Sequence, residues 1–355
     1  MSLRVGIVGL PNVGKSTLFN ALLKKRVALA ANYPFATVEP NVGVVVVPDE
    51  RLDKLAELVK TEEKMDSLPP IVPAVVEFVD IAGLVKGAST GEGLGNQFLS
   101  HIREVDAIIH VLRDFEDSNI VQEGSENPDA DRLTIETELG LADLQVLEKL
   151  IVVEEEPEKL EILKKIQEEL NAGRSLGRFK INDLRFKIWF EKLPLLSIKP
   201  ILYVYNVSED EYAKRLDDKI GEGNSIVICA KLEEELADLS ETERWDYLKE
   251  MGIEETGLER LIKAAYKLLD LISFLTAGPK EIRAWTIKKN TKAPQAAGVI
   301  HTDFEKGFIR AQVIEYEKLI DATSYGSAKQ KGWIRTEGKD YIVQDGDVIE
   351  FLVSS

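Results

Sequence analysis

Short apolar runs rich in Val and Ile recur along the chain at residues 3–9, 42–47, 74–80, 107–112, 201–205 and 226–229. They do not alternate with polar residues, which is the pattern of strands buried on both faces. Helical spacing fills most of the gaps, so the runs predict an α/β fold built on a mostly parallel sheet with crossover helices. The rhythm breaks after Phe115. From about 130 to 193 the spacing is helical: Leu144, Leu147 and Ile151, then Leu160, Leu163, Ile166 and Leu170, set amid charge. Pro157 is expected to end or kink the first helix, and Asn-Ala-Gly at 171–173 to stop the second. An inserted helical hairpin follows from this. Another helix is expected over about 255–273, leading through Thr276, Ala277, Gly278 and Pro279 into a new texture. There IRAWTI, GFIRAQVIEY and DYIVQDGDVIEFLV predict a small β-rich module with few helices. Two domains are expected, 1–274 with the helical insertion and 275–355, divided near residue 275.

Composition narrows the setting. No apolar run among the 355 residues approaches the roughly 18 that a membrane span needs. The N-terminal LRVGIVGL lacks the layout of an export signal, and the single cysteine, Cys229, forms no internal disulfide. A cytoplasmic protein is expected, without a membrane partner. The net charge of -17 argues against a generic polyanion binder, and no specific DNA partner is expected. The acidity is uneven: residues 275–355 hold 12 Lys plus Arg against 11 Asp plus Glu, leaving the deficit to the rest of the chain. Within the insertion, 174–192 carries six basic and two acidic residues interleaved with Phe179, Phe186, Trp189 and Phe190. Stacking on RNA is one reading of that stretch. An amphipathic helix with its aromatics turned inward is the preferred one.

The chemistry begins with GLPNVGKST at residues 9–17, which follows an apolar run and opens a helical pattern. Gly9, Gly14, Lys15 and Ser16 satisfy the P-loop spacing. In such a loop glycines let backbone N–H groups wrap phosphates, a helix N-terminus adds partial positive charge, and the lysine reaches the terminal phosphates. Asn12, Val13, Gly14, Lys15, Ser16 and Thr17 are therefore expected to bind nucleotide, with Ser16 a ligand of Mg2+. Thr37, in the polar loop NYPFATVEPNVG at 32–43, is the second expected magnesium ligand. The run AVVEFVDIAG ends an apolar strand on Asp80, with Gly83 three residues on, the spacing of a DxxG switch. Asp80 is expected to hold a magnesium-bound water, and the Gly83 N–H to meet the γ-phosphate. Lys15, Asp80 and Gly83 form the catalytic expectation. The three histidines, His101, His110 and His301, show no ligand spacing and read as structural.

GLPNVGKST, NYPFATVEPNVG, FVDIAGLVKGASTGEGLGNQFL and RAWTIKKNTKAPQAAGVIHTDFEKGFIRAQVI together resemble the YchF-type Obg-like ATPases over nearly the whole chain. The resemblance implies an Obg-type G domain, an inserted coiled-coil arm and a C-terminal ubiquitin-like β-grasp (TGS) domain. It also implies the ribosome as partner.

The base is read separately. GTPases use Asn-Lys-x-Asp after a late strand, and no such motif occurs in this sequence. ILYVYNVSE instead places Asn206, Val207, Ser208 and Glu209 there, replacing the lysine that packs under guanine and lengthening the acid by a methylene. Guanine specificity is expected to be lost, and the resemblance carries over a preference for ATP. Asn206 and Val207 would meet the adenine edge, Phe115 would offer a stacking face, and Cys229-Ala230-Lys231 would lie behind the base. The position after DxxG is Leu84, which cannot orient a water, so slow turnover is expected. In some relatives of this class a P-loop asparagine helps to bind potassium, and Asn12 with Leu84 motivates K+-stimulated hydrolysis. Where some family members carry a cysteine before the switch threonine and a histidine after the Phe115 strand, this chain has Ala36 and Gln122. Two other readings stay open: a GTPase of the same fold, and a nucleotide-gated interaction module in which hydrolysis is incidental.

Overall fold

The computed structural model describes residues 3–29, 41–82, 94–116, 127–179, 181, 183–216 and 224–354. Thr37, Gly83, Leu84 and Gln122, named above, lie outside them, as does Ala36. The chain forms two compact units, one of residues 1–45 and 77–268, the other of 46–76 and 269–355.

The first unit is built on a six-stranded sheet. Its strands are β1 (Arg4–Val8), β2 (Val42–Val46), then, after a short β3 (Ile71–Val72) that belongs elsewhere, β4 (Val75–Asp80), β5 (Ala107–Asp114), β6 (Ile201–Val207) and β7 (Ser225–Ile228). They are ordered β2-β4-β1-β5-β6-β7. β1 runs parallel to β4 and β5, β5 to β6, and β6 to β7. Residues 107–113 of β5 are all buried, as a central parallel strand requires. The carboxyl ends of the five parallel strands, β4, β1, β5, β6 and β7, share one edge of the sheet, the usual place for a ligand in this architecture.

The helical insertion comprises Pro128–Val153, Pro157–Asn171 and Leu184–Phe190. Pro157 does not kink a helix; it opens the second one at a first-turn position, where the missing N–H costs nothing. Leu147, Leu163, Ile166, Leu170, Leu176, Phe190 and Leu195 form the arm's own core, with Phe179 and Trp189 packed against it. Phe179, Trp189 and Phe190 thus turn inward, and two of the stretch's cations are paired: Arg174 with Glu169 at 2.5 Å and Arg185 with Asp183 at 2.7 Å. The arm is fastened at its base. Buried Asp143 accepts from the Leu196 and Ser197 N–H groups at 2.7 and 2.8 Å and from the Ser197 hydroxyl at 2.5 Å.

The second unit holds β8 (Leu271–Ala277), β9 (Ile282–Lys288), β10 (Phe308–Glu315), β11 (Arg335–Glu337) and β12 (Asp347–Val353), in the order β11-β10-β12-β8-β9-β3. β8 runs parallel to β12, with β9 antiparallel on the far side of β8 and β10 antiparallel on the far side of β12, which is the β-grasp arrangement. The helix expected over 255–273 stops at Leu268, where Asp270 turns with φ of 53°, and 271–273 begin β8 instead. A cut at residue 275 would therefore fall inside a strand. The module is also more helical than its texture predicts, with Ala293–Ile300, Thr302–Lys306, Tyr316–Ala322 and Tyr325–Gln330 each too short to show a helical period. Residues 46–76, placed by sequence in the first domain, pack with this unit: β3 extends its sheet, and Glu62 accepts from the Tyr325 and Gly326 N–H groups at 2.9 and 3.1 Å. Among the described residues no helix is long and apolar enough to cross a membrane.

Candidate active site

β1 ends in the buried Val8, and the chain turns through residues 9–14 into the helix Lys15–Leu29. The turn demands its glycines. Gly14 has φ of +93°, and a Cβ there would lie 2.2 Å from Asn206 Nδ2; at Gly9 a Cβ would meet the Val111 carbonyl at 2.8 Å. Asn12 also adopts a left-handed conformation, φ 62°, which asparagine tolerates better than most residues. The Leu18 N–H donates to the Gly14 carbonyl at 3.0 Å, which starts the helix directly after the loop. The first-turn N–H groups of a helix have no intrahelical acceptor, and an anion is the ligand that such a helix start suits.

Register explains what sits beside the loop. Ile7 of β1 is opposite Asp80 of β4, so Asp80 leaves its strand at the level of the loop. Its Oδ1 stands 3.9 Å from Lys15 Nζ. Burial pulls the Lys15 ammonium below its usual range, opposed by Asp80; burial likewise raises the Asp80 carboxyl, opposed by Lys15. Asp80 Oδ1 is buried and has no hydrogen-bond partner among the described residues. A carboxylate oxygen with unused acceptor capacity beside Lys15, next in the chain to the exposed Ser16, suits a hydrated Mg2+.

Asn206 ties the two sides of the site together. Its Nδ2 donates to the Val13 carbonyl at 2.9 Å, and its Oδ1 accepts from the Ala230 N–H at 2.9 Å, both in the interior. The side chain is thus a brace between the phosphate loop and the loop that opens the helix Ala230–Leu236. Both polar atoms of the amide are thus engaged in the brace, while Asn206 also lines the cleft expected to take the base. Val13 is fully buried, so its side chain serves the core and only its backbone is available to the site. Phe115 has the Arg113 guanidinium 4.6 Å from its ring centre, and Arg113 Nε donates to the Phe115 carbonyl at 3.3 Å. Burial raises the Cys229 thiol.

A cleft of about 810 Å³ is lined by Asn12, Gly14, Lys15, Ser16 and Thr17 of the phosphate loop and by Phe115, Asn206, Val207, Ala230 and Lys231; Asp80 stands outside this lining, reached through Lys15. The residues expected to hold phosphates and those expected to meet the base therefore share one cavity. Glu116, Glu209 and Glu234 also line it. Tyr247, whose hydroxyl donates to Glu209, carries no signal in the sequence because 38 residues separate the pair. Of the histidines, His110 is buried in β5, while His301 Nδ1 accepts from the Asp303 N–H at 3.2 Å and caps a helix.

Comparison with known proteins agrees with this architecture. Residues 4–163 match the family described as "50S ribosome-binding GTPase", and 271–354 match the YchF-GTPase C-terminal family, described as "Protein of unknown function (DUF933)". The chain is 50% identical over 371 residues to the protein named ribosome-binding ATPase YchF of Bacillus subtilis (strain 168), covering 99% of each. It is 49% identical to the protein of that name from Escherichia coli O157:H7, again covering 99% of each. The solved structure of the Schizosaccharomyces pombe YchF GTPase matches with a TM-score of 0.86 and 36% identity, over 99% of this chain and 98% of that one. With full-length relatives at this identity, and a phosphate loop, arm and β-grasp module in the same order, the chain belongs to the YchF family.

Proposed function

We propose that this protein is a Mg2+-dependent P-loop ATPase, cytoplasmic, whose nucleotide state changes how its helical arm and TGS domain engage the ribosome. The observation that carries the reading is the single cleft joining the Gly9–Thr17 loop to Asn206 and Val207. The names of the relatives supply ATP and the ribosome.

Phosphates would lie on the backbone N–H groups of residues 12–17, with the Lys15 ammonium against the terminal phosphate. Lys15 suits this role because burial already disfavours its charge, which an incoming polyphosphate restores. Ser16 and Thr37 would hold Mg2+ by their hydroxyls, Asp80 would accept from one of its waters, and the Gly83 N–H would meet the γ-phosphate. The metal, when bound, neutralises charge on the bridging and terminal oxygens. The base would rest between Phe115 and the backbone of Asn206 and Val207, with Asn206 holding the pocket's two walls in place. Potassium stimulation is proposed from Asn12 and Leu84; equal turnover in potassium and sodium chloride would remove it.

Equilibrium titration with fluorescent ATP and GTP analogues in Mg2+ tests the nucleotide. ATP is expected to bind more tightly, and Lys15→Ala to abolish hydrolysis. GTP hydrolysis is the second reading, favoured by the GTPase named in both matching families and in the S. pombe structure; GTP displacing ATP at equal concentration would establish it. Sedimentation with ribosomal subunits, dependent on ATP and lost after RNA digestion, is the expected result for the partner. Binding that survives full digestion would instead indicate a protein-interaction module.

A further inference from the structure

Glu209 opens the helix Glu209–Arg215 and lines the cleft next to Asn206 and Val207. Its Oε1 accepts a hydrogen bond of 2.6 Å from the Tyr247 hydroxyl. Tyr247 stands on the helix Glu241–Glu250, whose start is fixed by a capping box between Ser240 and Glu243. Its ring packs against the core cluster formed by Tyr205, Val207, Tyr212 and Cys229. The donor is therefore anchored by packing, and the hydrogen bond to Glu209 holds its proton, pushing the phenol up to about 12.

The two purines ask different things of an acid at this position. Guanine presents N1–H and N2–H, two donors side by side that a free carboxylate can accept with both oxygens. Adenine presents the N1 lone pair beside N6–H, and an unengaged carboxylate facing N1 is repulsive. A carboxylate with one oxygen already tied to a tyrosine cannot turn to offer both. The longer side chain supplies the reach, since an aspartate here would be roughly 1.5 Å shorter.

We infer that Tyr247 is a positioning residue for base selection: by engaging Glu209 it withholds the carboxylate from guanine and leaves the cleft selective for adenine. This rests on the proposed placement of the base at Asn206–Glu209.

Dissociation constants for fluorescent ATP and GTP analogues, measured on the full chain, test it, with the thermal midpoint as a check on folding. Tyr247→Phe is expected to narrow the preference for ATP over GTP about tenfold, mainly through tighter GTP binding, as befits release of a hydrogen bond to a charged group. Glu209→Asp, which cannot reach Tyr247, is expected to move the ratio the same way and serves should the phenylalanine variant fold poorly. In Tyr247→Phe with Glu209→Gln the gain in GTP binding should vanish; its persistence without the carboxylate overturns the inference. A ratio within twofold of wild type in both single variants, with the wild-type preference intact, overturns the inference alone. Equal wild-type affinities remove the ATP reading and the inference together.

Discussion

Gly14 concentrates two demands on one residue, a left-handed backbone and room for the Asn206 amide. A methyl group there meets both a strained φ and a 2.2 Å clash, and the brace between the loops would have to shift. Gly14→Ala is accordingly expected to weaken binding of fluorescent ATP by roughly tenfold or more. Affinity within twofold of wild type would contradict this account of the loop. His110 makes a different prediction. Both its ring nitrogens are buried without a partner among the described residues, and burial, with the Arg132 charge as a lesser cause, depresses it to about 3. The folded value lies below the ordinary 6.5, so the unfolded chain binds the proton first. The His110 contribution is complete above about pH 6.5 and declines as pH falls toward 3, by about 1.4 kcal/mol per unit. Between pH 7 and pH 5 the wild type should lose about 2 kcal/mol more than His110→Val in urea unfolding. A constant difference between the two proteins over that range would refute it.

Among elements, the insertion shows how a long helix is held by few polar contacts. Asp143 takes three hydrogen bonds from residues 196 and 197, where the chain leaves the arm and returns toward β6. Asp143→Ala leaves two buried N–H groups and a hydroxyl without their acceptor and should cost about 3 kcal/mol or more. Faster amide exchange at Leu196 and Ser197 is the expected signature; protection equal to wild type would show that the arm is anchored elsewhere. The hydroxyl of Tyr203 on β6 also donates to Glu136 of the arm's first helix, and the Arg132 guanidinium lies 4.2 Å from the Tyr203 ring centre. The helix Leu94–Arg103 ends with Lys199 Nζ donating to the Ile102 and Arg103 carbonyls at 2.7 and 2.9 Å, a cation where the helix dipole favours one.

At the level of the whole molecule, the second unit depends on a segment distant in sequence. Residues 46–76 give it an edge strand, the ion pair of Arg51 with Asp345 at 2.8 Å, and the Glu62 cap on Tyr325 and Gly326. Glu62→Ala removes that cap and should lower the stability of this unit by about 1–2 kcal/mol. The proposed ATP site lies in the other unit, so nucleotide affinity should stay as it was. A matching fall in ATP affinity would mean that the two units are energetically coupled through this segment.

Periodicity and motif spacing were enough to locate all six strands of the first sheet, the arm and the phosphate loop, because each is a local pattern: an apolar run, a three-to-four repeat, a glycine spacing. The sequence also marked Asp80, since a carboxylate at the end of a buried strand stands out. Local pattern could not place the segment 46–76, whose β3 is two residues long and gains meaning only as an edge on β9. Nor could it show that 271–273 begin a strand, since an apolar run after a helix reads as more helix until the central position of β8 in its sheet is known. Asn206 and Glu209 were visible as chemistry, but their partners were not. The Val13 carbonyl, the Ala230 N–H and the Tyr247 hydroxyl come from elements brought together by parallel strand order and helix packing, and such contacts leave no trace in spacing along the chain.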